Sequence, residues 1–425
     1  MRSVYTSLFY ASLPLVLARL FWRSRANPGY RERVAERFAF YPGPRRPVDV
    51  WIHAVSVGEA EAAFSLIATI RRHLPASILV TTTTPTGSAR LRKVLGDAVE
   101  HVYLPYDLPD GVGRFLDHFS PRLAVIMETE IWPNLFAACR GRGVPLVIAN
   151  ARLSERSARR YGHIRGTLKN LLAGVDIAAQ TEDDARRFLA VGADSSAVTV
   201  TGNLKFDTEL DASTREAGEA LKKRVFQERL VWLAASTHPG EERAVLEAFA
   251  SVRCRHPHLK LVIAPRHPER FEEVARLVAT SGYRIARQTQ AGEVMPGNFD
   301  VFLLDTLGDL MRFYVASDIA FVGGSLVDIG GHNVVEPALA ETAIVFGQHT
   351  RNFKQICDDL AGGEAALRVH DAEALAAAVD RLAADAGLRA ELRRRALAFV
   401  ERNRGASERH WRLLAPHLRE LSTSH

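Results

Sequence analysis

Val322-Gly323-Gly324-Ser325-Leu326-Val327-Asp328-Ile329-Gly330-Gly331-His332-Asn333-Val334-Val335-Glu336-Pro337 is the stretch on which the fold turns. It reads as a strand end, a loop with four glycines, then a helix start. Glycine lets a backbone approach a ligand closely, and free N–H groups at a helix start favour an anion. Glu336 is placed to accept hydrogen bonds from ribose hydroxyls. The competing reading is a cap, since Asn333-x-x-Glu336 resembles a capping box and Pro337 is tolerated in a first turn. A cap does not need four glycines, so the stretch favours a nucleotide site.

Outward from this stretch, short apolar runs alternate with helical patterns. The runs are Val48–His53, Ser77–Thr82, Leu123–Met127, Pro145–Asn150 and Asp176–Ala179, then Leu230–Ala235, Leu259–Pro265, Asp300–Leu304, Ile319–Gly323 and Ala343–Phe346. Largely apolar strands of this length suit parallel sheets covered on both faces. Between them, Val245, Leu246, Phe249 and Val252 keep helical spacing. The βαβα order means α/β. One sheet of all these strands is long for an open sheet, so two doubly wound Rossmann-like domains fit better. The charged stretch 202–228 marks their junction. The expected division is an anchor at 1–25, an N-terminal domain at 26–205 and a C-terminal domain at 206–425, the last helix being free to pack back on the N-terminal domain. From about Asp371 to Leu418 the sequence is nearly all helical. In such folds ligands gather at the carboxyl ends of strands, in the cleft between domains.

The 425 residues are 47% hydrophobic and 24% charged, which excludes a disordered, collagenous or disulfide-scaffold chain. The formal net charge is +6. A basic balance suits phosphates, anionic lipid or nucleic acid without choosing among them. No basic stripe with interleaved aromatics supports nucleic acid. The three cysteines, Cys139, Cys254 and Cys357, have no metal-ligand spacing and imply no disulfide framework.

At the amino end, Ser3 to Ala18 carries no charge, and Arg19, Arg23, Arg25, Arg31 and Arg33 follow. The run is near the length that spans a bilayer, and Arg19 and Trp22 suit an interface. A single-pass anchor, an interfacial helix and a packed soluble helix all stay open. Positive-inside places the body in the cytoplasm.

Polar residues just after strands are the candidate chemistry. Glu59 follows the first strand in Ser56-Val57-Gly58-Glu59, as a general base or as the acid of a capping box. Glu128 and Glu130 stand at a strand end before Trp132-Pro133, either holding a catalytic group or forming an acidic helix start. Lys205, at the junction, either meets an anion or lies on a surface turn. The segment Ser236-Thr237-His238-Pro239-Gly240-Glu241-Glu242 offers hydroxyls and helix-start amides to a phosphate, or a Thr237 cap. Arg266 follows another strand and suits a phosphate; His267 alone says little. There is no GxxxxGK[ST], no opening GxGxxG, no HExxH and no CxxC. No metal and no cofactor are expected.

HAVSVGE, TTTTPTG, YLPYD, METEIWPN, NARLSERS, GNLKFD, APRHPERF and GGHNVVEP occur in this order behind the apolar amino end. Together they resemble the 3-deoxy-D-manno-octulosonic acid (Kdo) transferases of Gram-negative bacteria, which are GT-B glycosyltransferases. The resemblance spans nearly the whole chain. It implies transfer of Kdo from CMP-Kdo to the tetra-acylated lipid A precursor in the inner membrane, with an acceptor-binding N-terminal and a CMP-sugar-binding C-terminal domain. It makes Glu59 the base, with Glu128 and Lys205 supporting the transition state and Glu130 able to replace Glu128. CMP contacts map to Pro265 and Arg266, to Leu307, Gly308 and Asp309, and to Asn333, Val334, Val335 and Glu336. Arg31, Arg33, Arg37, Arg45 and Arg46 would hold lipid phosphates or form a solvated surface. Competing functions are a GT-B enzyme using a UDP-sugar, a non-catalytic membrane-bound scaffold and, least supported, nucleic-acid binding.

Overall fold

The computed structural model describes residues 2–25, 27–290 and 298–421. The chain divides into two compact units, Met1–Thr208 with Asn403–His425, and Glu209–Arg402.

The first unit holds β1 (Val50–His53), β2 (Ile78–Thr82), β3 (Glu100–Tyr103), β4 (Leu123–Met127), β5 (Leu146–Ala151), β6 (Val175–Ala179) and β7 (Val198–Val200). They form one sheet in the order β3-β2-β1-β4-β5-β6-β7. All pairings are parallel; Val50–His53 lies opposite both Ile78–Thr81 and Leu123–Ile126. Side chains alternate across the sheet, and both faces are covered. Trp51, Leu79 and Ile126 join Phe115 on one face. Val50, Ile52 and Val125 join Leu66 and Ile70 on the other. That double burial is why these strands read as unbroken apolar runs.

The second unit holds β8 (Val231–Thr237), β9 (Lys260–Pro265), β10 (Ile285–Arg287), β11 (Val301–Leu303), β12 (Ile319–Val322), β13 (Ala343–Phe346) and β14 (Ala366–Arg368). The sheet order is β10-β11-β9-β8-β12-β13-β14, again parallel. Leu261, Ile263 and Phe321 pack on one face; Leu233, Val262 and Phe302 pack on the other.

Four strands lie outside the runs read from sequence: β3, β7, β10 and β14. They are the two edges of each sheet. An edge strand has a neighbour on one side only, so it is short and half-wet. Glu100 and His101 in β3 and Thr199 in β7 are partly or fully exposed, so no apolar run forms.

The helix Ala406–Leu414 belongs to the first unit and packs on the helix Val57–His73. Ala406, Leu414 and Leu418 enter the core beside Leu66. Asp207 fixes its start: one carboxylate oxygen accepts the Gly405 N–H at 2.7 Å, the other the Ser407 N–H at 2.5 Å. His410 inside it is fully buried.

Candidate active site

In a doubly wound sheet the ligand crevice opens where the chain order reverses direction, at the strands' carboxyl ends. In the first unit that point lies between β1 and β4. Glu59 follows β1 and Glu128 follows β4.

Glu59 sits in the first turn of Val57–His73, with Ser56 as N-cap. The Ser56 hydroxyl accepts the Glu59 N–H at 3.3 Å and donates to Glu59 Oε1 at 3.2 Å. Glu59 Oε2 accepts the Val55 N–H at 2.5 Å. The capping arrangement is therefore real, and it still leaves Oε1 with only a weak neutral partner. Burial, and next the charge of Glu128, push the Glu59 carboxyl from 4.5 up to about 8; the Val55 N–H opposes them. The capping reading of the Ser-x-x-Glu motif is thus observed, and the carboxyl that makes the cap is also the raised one.

Glu128 has a left-handed backbone, φ 59°, and donates its N–H to Ala149 O at 2.9 Å. The bend takes the chain off β4 with one further acid, Glu130, two residues behind it. Glu130 is raised by burial and by Glu128. Lys205 Nζ lies 4.0 Å from Glu128 Oε1. Burial lowers the Lys205 ammonium, Glu128 and Glu59 hold it up, and the Arg152 charge lowers it further. Glu59, Glu128 and Lys205 thus share one electrostatic cluster, together with Glu130 and Arg152. Arg152 lies in the NARLSERS segment, and only its proximity to Lys205 reveals it.

Lys205 is positioned from behind by Asn150. Asn150 Oδ1 accepts the Leu204 N–H at 3.0 Å, and the Asn150 N–H donates to His410 Nε2 at 2.9 Å. His410 Nδ1 bonds Ala406 O at 2.7 Å, which sets the tautomer: Nδ1 carries the proton and Nε2 accepts. Burial drives the imidazole down to about 4, in keeping with a neutral ring. Truncating His410→Ala leaves the Asn150 N–H unpaired in the core, a loss of about 1–3 kcal/mol. A lower Tm by calorimetry, together with slower turnover, is the expected result. Unchanged turnover would confine His410 to stability.

In the second unit the order reverses between β8 and β12. The glycine loop follows β12, and the amides at its front are already taken. Glu241 Oε1 accepts the N–H groups of Ser325 and Leu326, each at 3.0 Å, and Oε2 those of Gly324 at 2.7 Å and His238 at 2.9 Å. Glu241 is 1% exposed. An internal carboxylate therefore occupies the amides of His238 and of the front of the glycine loop, ahead of the helix starts at Glu241 and Val335. A Cβ on Gly323 would come within 2.7 Å of Ser236 O and 2.9 Å of Glu241 Oε2, so glycine is required there. The Thr237 cap is corrected. Its hydroxyl donates to Glu242 Oε1 at 2.8 Å, and the helix Glu241–Arg253 takes Gly240 as N-cap.

What the loop presents instead is side chains. His238 Nε2 lies 2.9 Å from His332 Nε2, with the rings stacked at 5.1 Å, and His267 meets His238 edge-on at 5.3 Å. Burial lowers His238 to about 4 and His332 to about 3, with Arg266 adding to both. Both imidazoles are neutral at pH 7, one donating to the other. Pro265 ends β9 and Arg266 follows it, exposed. Leu307 is 61% exposed at a loop tip, Gly308 has φ 94°, and Asp309 pairs with Arg312 at 3.2 Å. Asn333 Oδ1 accepts the Val335 N–H at 3.0 Å while its Nδ2 donates to Glu336 Oε1 at 3.1 Å; Val334 and Val335 are buried. These residues end or follow β9, β11 or β12, of which β9 and β12 flank β8 and β11 lies beyond β9 in the same parallel sheet.

The sequence profile of the family described as 3-deoxy-D-manno-octulosonic-acid transferase matches residues 32–208. The 3-deoxy-D-manno-octulosonic acid transferase of Haemophilus influenzae is 40% identical over 98% of this chain and 99% of its own. The chain belongs to the Kdo transferase family. The transferase is also 38% identical to the enzyme of that name from Bordetella pertussis, over 96% of this chain and 97% of that one. A glycosyltransferase structure from Rickettsia africae aligns with TM-score 0.58 and 14% identity, covering 89% of this chain and 100% of that one. At that identity the likeness shows the fold, and the two doubly wound units are GT-B. Its membership of the Kdo transferase family makes the chain a glycosyltransferase.

Of the arginines flanking the amino-terminal helix, Arg37 is interior. It is 4% exposed, lies 4.3 Å over the Tyr103 ring and donates to Thr83 O at 3.1 Å. A lipid phosphate role for Arg37 is therefore replaced by a structural one. Arg33 is tied to Glu36 at 2.6 Å and to His101 O at 2.7 Å, and Arg46 to Glu100 at 2.8 Å.

Proposed function

We propose that the transferase moves Kdo from CMP-Kdo to the tetra-acylated lipid A precursor at the cytoplasmic face of the inner membrane, with Glu59 as general base. The observation that carries this is Glu59 itself: a buried carboxyl, held at a helix start and raised to about 8, beside Glu128 and Lys205. A base of this strength suits removal of a proton from an alcohol near neutral pH.

The acceptor hydroxyl attacks the anomeric carbon of Kdo, and its proton passes to Glu59 Oε1. The bond from that carbon to the phosphate oxygen breaks, and CMP leaves with the electron pair. Arg266 and the His238–His332 pair meet the charge that grows on the phosphate. Asn333, Val334, Val335 and Glu336, Pro265, and Leu307, Gly308 and Asp309 hold the nucleotide, with Glu336 on the ribose hydroxyls. Lys205 and Glu128 steady the charge that develops around the reacting carbon. The chain supplies every group in this scheme, with no metal and no cofactor.

The test is a transfer assay with CMP-Kdo generated in situ and the lipid A precursor, read by product mass, beside UDP-sugars as alternative donors. Kdo increments support the reading, and their number counts the sugars added. Transfer from a UDP-sugar alone would overturn the donor assignment. The pH profile is a separate check. A base works deprotonated, so kcat is expected to climb about tenfold per pH unit below the Glu59 value and level off above it. A flat profile between pH 6 and pH 9 would leave Glu59 only its cap.

A further inference from the structure

The helix Arg2–Arg23 is apolar and long enough to cross a membrane. Its surroundings indicate a different placement. The partly or fully covered residues are Tyr5, Thr6, Phe9, Leu13, Leu17 and Leu20, with others at the same spacing. Three- and four-residue steps put them on one stripe that runs the whole length of the helix. The stripe rests on the first unit. Thr6 donates to Asn134 Oδ1 at 3.0 Å, Tyr10 donates to Asp110 Oδ1 at 2.6 Å, and the rings of Phe9 and Tyr106 lie 6.4 Å apart. Beyond its end, Arg31 donates to Ser24 Oγ at 2.7 Å.

A helix that crossed the bilayer would carry Tyr10 roughly 12 Å beyond its start, at 1.5 Å per residue. That is well inside a hydrocarbon core of about 30 Å. Asp110 and Asn134 would have to follow it there, or both bonds would break; a carboxylate at that depth is costly. The opposite face needs no such penalty. Val4, Leu8, Leu15, Phe21 and Trp22 are exposed on it, Leu15 at 75% and Trp22 at 67%. Arg2, Arg19, Arg23 and Arg25 are exposed along the same helix and just beyond it. Apolar side chains flanked by arginine stems suit the boundary between acyl chains and anionic headgroups.

We infer that this helix lies in the plane of an anionic bilayer surface, one face on the first unit and the other in lipid, with both of its ends on the side of the protein body. The inference rests on the proposed action at a membrane. It assigns a partner, an anionic lipid surface, and a topology in which the helix Arg2–Arg23 does not cross.

Two measurements on the full chain test it. A hydrophilic, cysteine-bearing tag ahead of Met1, in a Cys254→Ser background, reports the side of the helix start. Untagged chain reports the side of the body through exposed Cys254, since Cys139 and Cys357 are buried. Impermeant maleimide is applied to spheroplasts and to inverted inner-membrane vesicles. Labelling of both sites in inverted vesicles and of neither in spheroplasts is the expected result; a tag labelled in spheroplasts overturns the in-plane placement. Flotation of purified chain with phosphatidylethanolamine vesicles, with and without phosphatidylglycerol, tests the membrane reading itself. Flotation is expected to rise severalfold with phosphatidylglycerol. Flotation with neither would remove the membrane reading and this inference with it, whereas the maleimide result alone leaves the former intact.

Discussion

Glu59→Gln is expected to lower kcat by about 10²–10⁴-fold, the usual worth of a general base, while Tm holds or rises. The two halves follow from the same burial. Glutamine keeps an oxygen for the Val55 N–H and an amide for the Ser56 hydroxyl, so the cap of Val57–His73 survives. It cannot take a proton from the acceptor. The folded carboxyl titrates near 8 against an ordinary 4.5. The native state therefore holds a proton that the unfolded chain releases. Its contribution to stability is complete below the ordinary value and is lost as pH rises through about 8. Near neutral pH that strain is on the order of a few kcal/mol, and the neutral amide removes it. Kinetics beside thermal melts of both proteins decide the matter. Turnover that survives in Glu59→Gln returns the residue to its capping role alone; a collapsed melt with lost turnover would mean that the cap, not the base, was removed.

Glu241→Ala is expected to cost the second unit about 3 kcal/mol or more and to weaken nucleotide binding by at least tenfold. Four backbone N–H groups, on His238, Gly324, Ser325 and Leu326, depend on its carboxylate. A buried donor left unpaired costs about 1–3 kcal/mol. Burial raises the Glu241 carboxyl and the four N–H groups pull it back. Glutamine does not rescue the site, because each oxygen of Glu241 takes two of the donors. Either orientation of the amide turns its NH₂ toward two N–H groups. Glu241→Gln should therefore fall between wild type and Glu241→Ala in both Tm and affinity for CMP, measured by calorimetry and titration. The binding loss follows because the same loop carries His332, Asn333 and Glu336. Full CMP affinity in Glu241→Ala would show that the loop is held by other contacts.

Much of this was legible along the chain. Strands buried on both faces announce themselves as apolar runs, because every side chain must suit a dry environment. Glu59 and Glu128 stood out since each follows such a run, Lys205 since it lies at the charged junction between the two sets of runs, and the glycine-rich loop since few structures need so many glycines. The edges were not legible. Glu100 and His101 in β3 look like a loop because half of each edge residue faces water.

Partnerships across long separations were hidden in the same way. Nothing near Asn150 in sequence points to His410, yet the two share a hydrogen bond. Thr237 and Glu241 looked like a phosphate turn, and only packing shows their groups spent on Glu242 and on the glycine loop. Sequence determined the fold class, the two sheets' central strands, the family and the polar residues at strand ends, because those depend on local periodicity and ordered motifs. Tertiary structure alone decided how far Glu59 is raised, which amides are occupied and how the first helix is seated. Those depend on burial and on charges brought close from distant parts of the chain, which no local pattern records.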